Sequence, residues 1–187
     1  MNILVTGGAG FIGANFIHYL LKQDRSDHVI NFDALTYAGN LNNLDDIKAD
    51  PHYQFVEGDI ADRSAVEAVF DGFNINAVVN FAAESHVDRS ILNPAAFIHS
   101  NFDGVGVLLA AAKKFNVDKF VQISTDEVYG SSLPHQQFSE SAPLNPSSPY
   151  SATKASADLL ALSYFKTYNL NVSITRSANN YAHYQFP

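Results

Sequence analysis

The sequence predicts an α/β fold: a doubly wound parallel sheet in strand order 3-2-1-4-5-6, forming one globular domain over residues 1–187. Three observations predict it. Six short apolar runs alternate with helical patterns, most of the runs lack the period-two alternation of a half-exposed strand, and a glycine-rich turn directly follows the first run. With 47% hydrophobic residues the chain is long enough to bury a sizeable core.

Ile3-Leu4-Val5 is the first strand, broken by Gly7-Gly8-Ala9-Gly10-Phe11-Ile12-Gly13, after which Phe16, Ile17, Leu20 and Leu21 recur at helical spacing. Val29-Ile30-Asn31-Phe32 is the second strand and ends at Asp33. A weak helix is expected around Leu41 to Ile47, and a third strand at Tyr53 to Val56. Asp62 is placed to cap a helix carrying Val66, Val69 and Phe70. Ala77 to Phe81 is the fourth strand, and Pro94 opens a long helix through Phe97, Val105, Leu108 and Leu109 to Lys114. Phe120 to Ile123 is the fifth strand. Residues from Leu133 to Pro149 are dense in Ser and Pro and read as a long loop, which in a compact domain is more often functional than accidental. Tyr150 to Tyr168 is helical by pattern, and Val172 to Arg176 is the sixth strand.

A net charge of −8 repels polyanions, so nucleic acid and anionic membranes are not expected partners, while a small anion held by local dipoles is compatible with it. The chain has no cysteine, which excludes disulfides, thiolate metal sites and a Cys nucleophile. Its seven histidines show no paired metal spacing, so no metal is expected. The start lacks a secretory pattern and no apolar run approaches the ~20 residues of a bilayer span, so a cytoplasmic protein is expected.

The Gly7-x-x-Gly10-x-x-Gly13 spacing suits a sharp turn, close approach of backbone N–H groups to a pyrophosphate, and tight packing of helix on strand. A turn that merely tolerates glycine has the same composition, but the strand before, the helix after and Asp33, 20 residues past Gly13, favour dinucleotide binding. A carboxylate at Asp33 accepts both ribose hydroxyls and repels a 2′-phosphate, which points to NAD over NADP. Asp59-Ile60 is a candidate for the adenine edge, or equally a turn and cap. Ala82 and Ala83 leave room beside a flat cofactor. Ser85 and His86 are candidates to face a substrate, although a lone histidine is more often solvated or packed.

The densest chemistry lies in Ser124-Thr125-Asp126-Glu127-Val128-Tyr129-Gly130 and Tyr150-Ser151-Ala152-Thr153-Lys154. Tyr150 and Lys154 stand at i and i+4 on one helix face, where an ammonium is expected to lower the phenol's pKa and make it a base toward an alcohol. Thr125 is placed to share the same substrate oxygen. Asp126 and Glu127 are two neighbouring carboxylates of the kind that separate into an acid and a base, unless they are simply solvated at the strand end.

On these residues the chain resembles the extended short-chain dehydrogenase/reductase family, most closely its dTDP-glucose 4,6-dehydratases. The resemblance runs from TGGAGFIG through FDALTYAGN, FAAESHVDRS, STDEVYG and YSATKA to RSANNY. It implies a Rossmann domain binding NAD, with cofactor contacts at Gly7, Gly10, Phe11, Ile12, Gly13, Asp33, Thr36, Asp59, Ile60, Ala82, Ala83, Tyr150 and Lys154. It also implies oxidation at C4 of a sugar nucleotide by Thr125, Tyr150 and Lys154, loss of water across C5 and C6 with Glu127 as base and Asp126 as acid, and return of hydride to C6. Ser85, His86, Thr125 and Asn179 are the implied substrate contacts, and a homodimer through the two long helices is the implied assembly. Epimerases and decarboxylases of the family share Tyr and Lys but lack the Asp-Glu pair, and a silent NAD-binding module is the alternative outside enzymes. Two departures are Ala34, where the family has Lys, and Tyr181-Ala182-His183 in place of Tyr-Gly-Pro. Because the family continues past the sixth strand into a C-terminal substrate lobe, a 187-residue chain is expected to be a truncated product or fragment without that lobe, with weakened or absent turnover.

Overall fold

The computed structural model describes residues 1–23 and 27–185. Its strands are β1 (Asn2–Thr6), β2 (His28–Asp33), β3 (Tyr53–Glu57), β4 (Ala77–Asn80), β5 (Lys119–Thr125) and β6 (Val172–Ser177). They form one six-stranded sheet in the order β3-β2-β1-β4-β5-β6, with every neighbouring pair parallel. Both the order and the direction are those the sequence predicts. In this register Thr6 lies beside Phe32 on one side and Asn80 on the other, so the ends of the three central strands are level.

The strands are apolar along their length because both faces are covered. Leu4, Ile30, Val78 and Phe120 point to one face and pack with α2 (Arg63–Phe73), α5 (Val105–Lys114) and α6 (Pro149–Tyr168). Ile3, Val5, Val29 and Val79 point to the other, against α1 (Phe11–Lys22). Asp62 caps α2, accepting from the N–H groups of Ser64 and Ala65 at 2.8 and 3.1 Å. Ser148 caps α6 in a reciprocal box with Ser151, with Pro149 in the first turn.

Several elements differ from expectation. The weak helix before β3 is only a 3₁₀ turn, Leu41–Leu44, capped by Asn40. A short helix α3 (Val87–Leu92) precedes the long one, where the polar ESHVDRS run gave no helical period. The long helix is α4 (Pro94–Ile98), a π turn (His99–Gly104) and α5 in sequence, so one extra residue is inserted at its centre. As a unit, Pro94–Lys114 is 21 residues long and contains a window of mean hydropathy 1.3, enough to cross a membrane by length and composition only, a test that a core helix also passes. Here its apolar side is used inside the protein: Phe97, Val105, Leu108 and Leu109 are buried in the core.

The expected loop before α6 is irregular and returns on itself. Asn145 donates its N–H to the Val128 carbonyl at 3.0 Å, and Phe138, Ala142 and Leu144 cover Val128, Tyr129 and Ala155. Gly130 makes the return possible, with φ of +80° and the Asn145 carbonyl oxygen 2.2 Å from where a Cβ would stand.

Phe120, the second residue of β5, is fully buried. Phe120→Ala is expected to lower the free energy of unfolding by about 3–5 kcal/mol in urea titration at unchanged slope; a loss below about 1 kcal/mol would contradict this packing.

Candidate active site

The glycine turn joins β1 to α1 in a space that admits no side chain. Gly7, with φ of +67°, would place a Cβ 2.5 Å from the Ala82 nitrogen, and Gly13 would place one 2.3 Å from the Gly7 carbonyl oxygen. The helix therefore begins hard against the ends of β1 and β4. Gly10 is the N-cap of α1, no side chain caps it, and the first turn carries no acid. Its leading N–H groups and the positive end of the helix dipole are thus left to an anionic ligand.

Asp33 ends β2 and is 8% exposed. Its Oδ2 accepts from the Ala9 N–H at 2.9 Å and its Oδ1 from the Leu35 N–H at 2.8 Å, which fixes the carboxylate at the rim of the glycine turn. Burial pushes its pKa up, against those two bonds. Asp59, after β3, accepts from the Ala61 N–H at 2.8 Å and pairs with His99 Nε2 at 2.9 Å. It forms the turn and also lines the cleft described next.

A cleft of about 270 Å³ opens at the carboxyl ends of the strands, where the order reverses between β1 and β4. All the cofactor candidates line it: Gly7, Gly10, Phe11, Ile12 and Gly13 on one side, Asp33, Thr36, Asp59 and Ile60 on the next, then Ala82, Ala83, Tyr150 and Lys154. Ser85 lines it as well, with Ser100 of the π turn. His86 does not; its ring lies 5.5 Å from that of Tyr37, whose face also carries Arg89 at 4.1 Å. Asn179 is exposed beyond β6 and borders neither this cleft nor the second one described below.

Tyr150 and Lys154 both reach the cleft, but not as spacing alone suggested. The pKa of Tyr150 is pushed up to about 12 by burial and then by the negative field of Glu127, with the nearby Thr125 side chain acting against them. The Lys154 ammonium donates instead to the Ile123 carbonyl of β5 at 2.6 Å. Burial pulls its pKa down to about 8, opposed by the charge of Asp158. The expected lowering of the phenol by its neighbour is therefore corrected: desolvation of both groups outweighs the attraction that i,i+4 proximity offers.

Asp126 and Glu127 sit on a 3₁₀ turn, Asp126–Tyr129, that leaves β5. Thr125 caps this turn, accepting from the Glu127 N–H at 3.2 Å and donating to Asp126 Oδ1 at 3.3 Å. Both carboxylates are exposed in a second, wider cleft of about 990 Å³, shared with Gln136, Phe138 and Arg176. Partial burial and the neighbouring Asp126 raise the pKa of Glu127, which makes it the stronger base. The charges of both carboxylates act on Tyr150, which itself lines the first cleft.

Sequence reasoning missed residues that hold this geometry from behind. Asn101, buried in the π turn, accepts from the Glu84 N–H at 2.9 Å, donates to the Glu84 carbonyl at 2.9 Å, and donates to Thr153 Oγ1 at 3.1 Å. It ties the segment after β4 to the helix carrying Tyr150 and Lys154. Thr6 donates to Asn80 Oδ1, and Asn80 donates to Gln122 Oε1 at 2.9 Å, a buried polar line across β1, β4 and β5. The signal for that line was available as the Asn80 and Gln122 interruptions of apolar strands. None marked Asn101, whose role depends on the inserted residue of the π turn.

Lys154 ionises near 8 in the fold against 10.5 when unperturbed. Between those values the unfolded chain keeps a proton that the folded chain has released, so this group makes stability rise with pH across that window, by on the order of 3 kcal/mol. Below about 8 the full cost of burying the ammonium is present; above pH 10, Tyr150 acts in the opposite direction. Urea unfolding at pH 8, 9 and 10 is expected to show this rise in the wild type and its loss in Lys154→Met, and an equal pH dependence in both would contradict the assignment.

Comparison with known proteins agrees with this architecture. Residues 4–187 match the family model described as GDP-mannose 4,6 dehydratase. The chain is 50% identical over 192 residues to a dTDP-glucose 4,6-dehydratase of Streptomyces antibioticus, covering 100% of this chain and 56% of the relative. It superposes with a TM-score of 0.92 on the crystal structure of dTDP-glucose 4,6-dehydratase from Bacillus anthracis in complex with NAD, at 50% identity over 100% of this chain and 57% of that one. A UDP-glucose 4-epimerase of Thermus thermophilus, also solved with NAD, is similar at 32% identity and a TM-score of 0.85, over 94% of this chain and 54% of that one. The chain thus spans little more than half the length of these relatives, and by its match over nearly every residue it belongs to the GDP-mannose 4,6 dehydratase family.

Proposed function

We propose that residues 1–187 are the NAD-binding and catalytic domain of a sugar-nucleotide 4,6-dehydratase acting on dTDP-glucose. The observation that carries this reading is that Tyr150 and Lys154 line the glycine-turn cleft while Asp126 and Glu127, on the turn that leaves β5, stand near enough for their charges to act on Tyr150. The residues fit NAD. The uncapped start of α1 suits its pyrophosphate, Asp33 its adenosine ribose, Asp59 and Ile60 its adenine, and the space beside Ala82 and Ala83 its nicotinamide. When bound, NAD supplies a hydride acceptor that later returns the hydride.

The chain's own residues handle the protons. Thr125 and Tyr150 hold the C4 hydroxyl, and Tyr150 takes its proton as C4 loses hydride. The Tyr150 phenol is a poor base at a pKa of about 12, and the Lys154 ammonium one turn away is the protein's positive charge available to favour its ionised form. The C4 ketone acidifies the C5 hydrogen, which Glu127 removes. Asp126 protonates the C6 hydroxyl, which departs as water. Ser85, at the edge of the cofactor cleft, is assigned to the sugar; His86 and Asn179 line neither cleft but directly follow Ser85 and Ala178, which do. Exposed Ile98 and Phe102 on the long helix and Leu159 and Phe165 on α6 support a homodimer through these two helices.

The test is incubation of the protein with NAD and dTDP-glucose. Turnover by residues 1–187 is expected to be weak and to give the 4-keto-6-deoxy product, and Glu127→Gln is expected to lower its formation by roughly 10²–10⁴-fold while still forming the 4-keto sugar. A 4-epimer from the wild type would favour the epimerase reading, and NAD binding without any sugar turnover would favour a silent NAD-binding module; either result overturns the proposal.

A further inference from the structure

Behind the site lies a buried ion pair with no place in the chemistry above. Asp158, fully buried, follows Lys154 by one turn of α6. Arg176 of β6 reaches it with Nε 2.8 Å from Oδ2. The same guanidinium donates through Nη1 to Tyr129 Oη at 2.7 Å and to the Glu140 carbonyl at 3.2 Å, and its Cζ lies 5.1 Å from the centre of the Tyr129 ring. Tyr129 closes the 3₁₀ turn of Asp126 and Glu127 and stacks on Phe138 of the returning loop at 5.2 Å.

A pair serving stability alone is poorly built this way. Buried ion pairs seldom stabilise more than apolar side chains of similar volume. Asp158 Oδ1 is also buried without a well-formed hydrogen bond; Ser124 is near enough to favour the carboxylate but does not bond it in good geometry. An acceptor left open costs stability unless a charge faces it. The charges that face Asp158 are Arg176 from β6 and Lys154 from its own helix, while β5 offers Lys154 only the Ile123 carbonyl.

We propose that Asp158 and Arg176 are positioning residues: Asp158 keeps the buried Lys154 ammonium charged, and Arg176 anchors that carboxylate while holding the Asp126–Tyr129 turn. One guanidinium thereby sets the oxidising pair and the acid–base pair in a single relative geometry. The inference rests on the role given to Tyr150 and Lys154 above, yet its readouts need no turnover. Failure of the dehydratase reading shows in the product assay; failure of this one shows in the spectra below.

The experiment follows the Lys154 side-chain signal of the ¹³C-lysine-labelled protein by NMR from pH 6 to 11, the signal being assigned by its loss in Lys154→Arg. The wild-type midpoint is expected near 8. Asp158→Asn lowers it by about one unit or more, and Asp158→Glu restores it. The double variant Asp158→Asn with Arg176→Met removes both buried charges together, so the fold is retained and the midpoint again falls. Arg176→Lys keeps a charge but loses the fork; it is expected to leave the Lys154 midpoint within about half a unit of wild type and to speed amide exchange at Gly130 and Asn145 about tenfold or more. An unchanged midpoint in folded Asp158→Asn, or unchanged exchange in Arg176→Lys, overturns the corresponding half of the proposal. Unfolding of the double variant assigns the pair to stability and overturns it whole.

Discussion

The closeness of two backbones at Gly7 is the constraint on which the rest depends. Because a Cβ there would strike Ala82, β1 and β4 come level and adjacent, and α1 starts directly above them. The cleft is the consequence: parallel strands end together, their connections diverge to opposite faces at β1 and β4, and the gap lies under an uncapped helix N-terminus. Asp33 completes it from the next strand, held by the backbone N–H of Ala9 in the glycine turn and that of Leu35 just after it in its own loop. The residues that shape this cleft are also those that let the strands and α1 come together.

Burial governs the electrostatics beyond that cleft. Tyr150 and Lys154 are close on one helix, yet each is shifted toward its neutral form because desolvation is the largest influence on both. For Lys154 the opposing influence is the charge of Asp158, itself paired with Arg176, and for Tyr150 it is the Thr125 side chain. Glu127 and Asp126 remain exposed at the mouth of the wider cleft and act on Tyr150 from outside. A buried Tyr150–Lys154 pair and an exposed pair of carboxylates thus stand within electrostatic reach of one another.

Much of this was legible because it is local. Apolar strands such as Ile3-Leu4-Val5 and Ala77-Val78-Val79 have no polar face to alternate, and Gly7, Gly10 and Gly13 mark a turn whose spacing has a mechanical reason. Cofactor candidates from Gly7 to Lys154 therefore came together in one cleft. What failed to show depends on three-dimensional context. Asn101 is an ordinary polar residue until the π turn aims it at Glu84, Arg176 is one more charge until β6 brings it to Asp158, and His86 turns to Tyr37 instead of the cleft. The ionisation of Tyr150 was misjudged for the same reason: spacing gives its neighbours, whereas the shift is set by how much water the fold removes.

The central claim is that the glycine-turn cleft, closed by Asp33, selects NAD. Calorimetric titration with NAD and NADP measures it most directly. The account predicts one NAD bound per chain and NADP at least about tenfold weaker, since a 2′-phosphate would meet a fixed carboxylate; equal affinity for the two, or no binding of NAD, would contradict it.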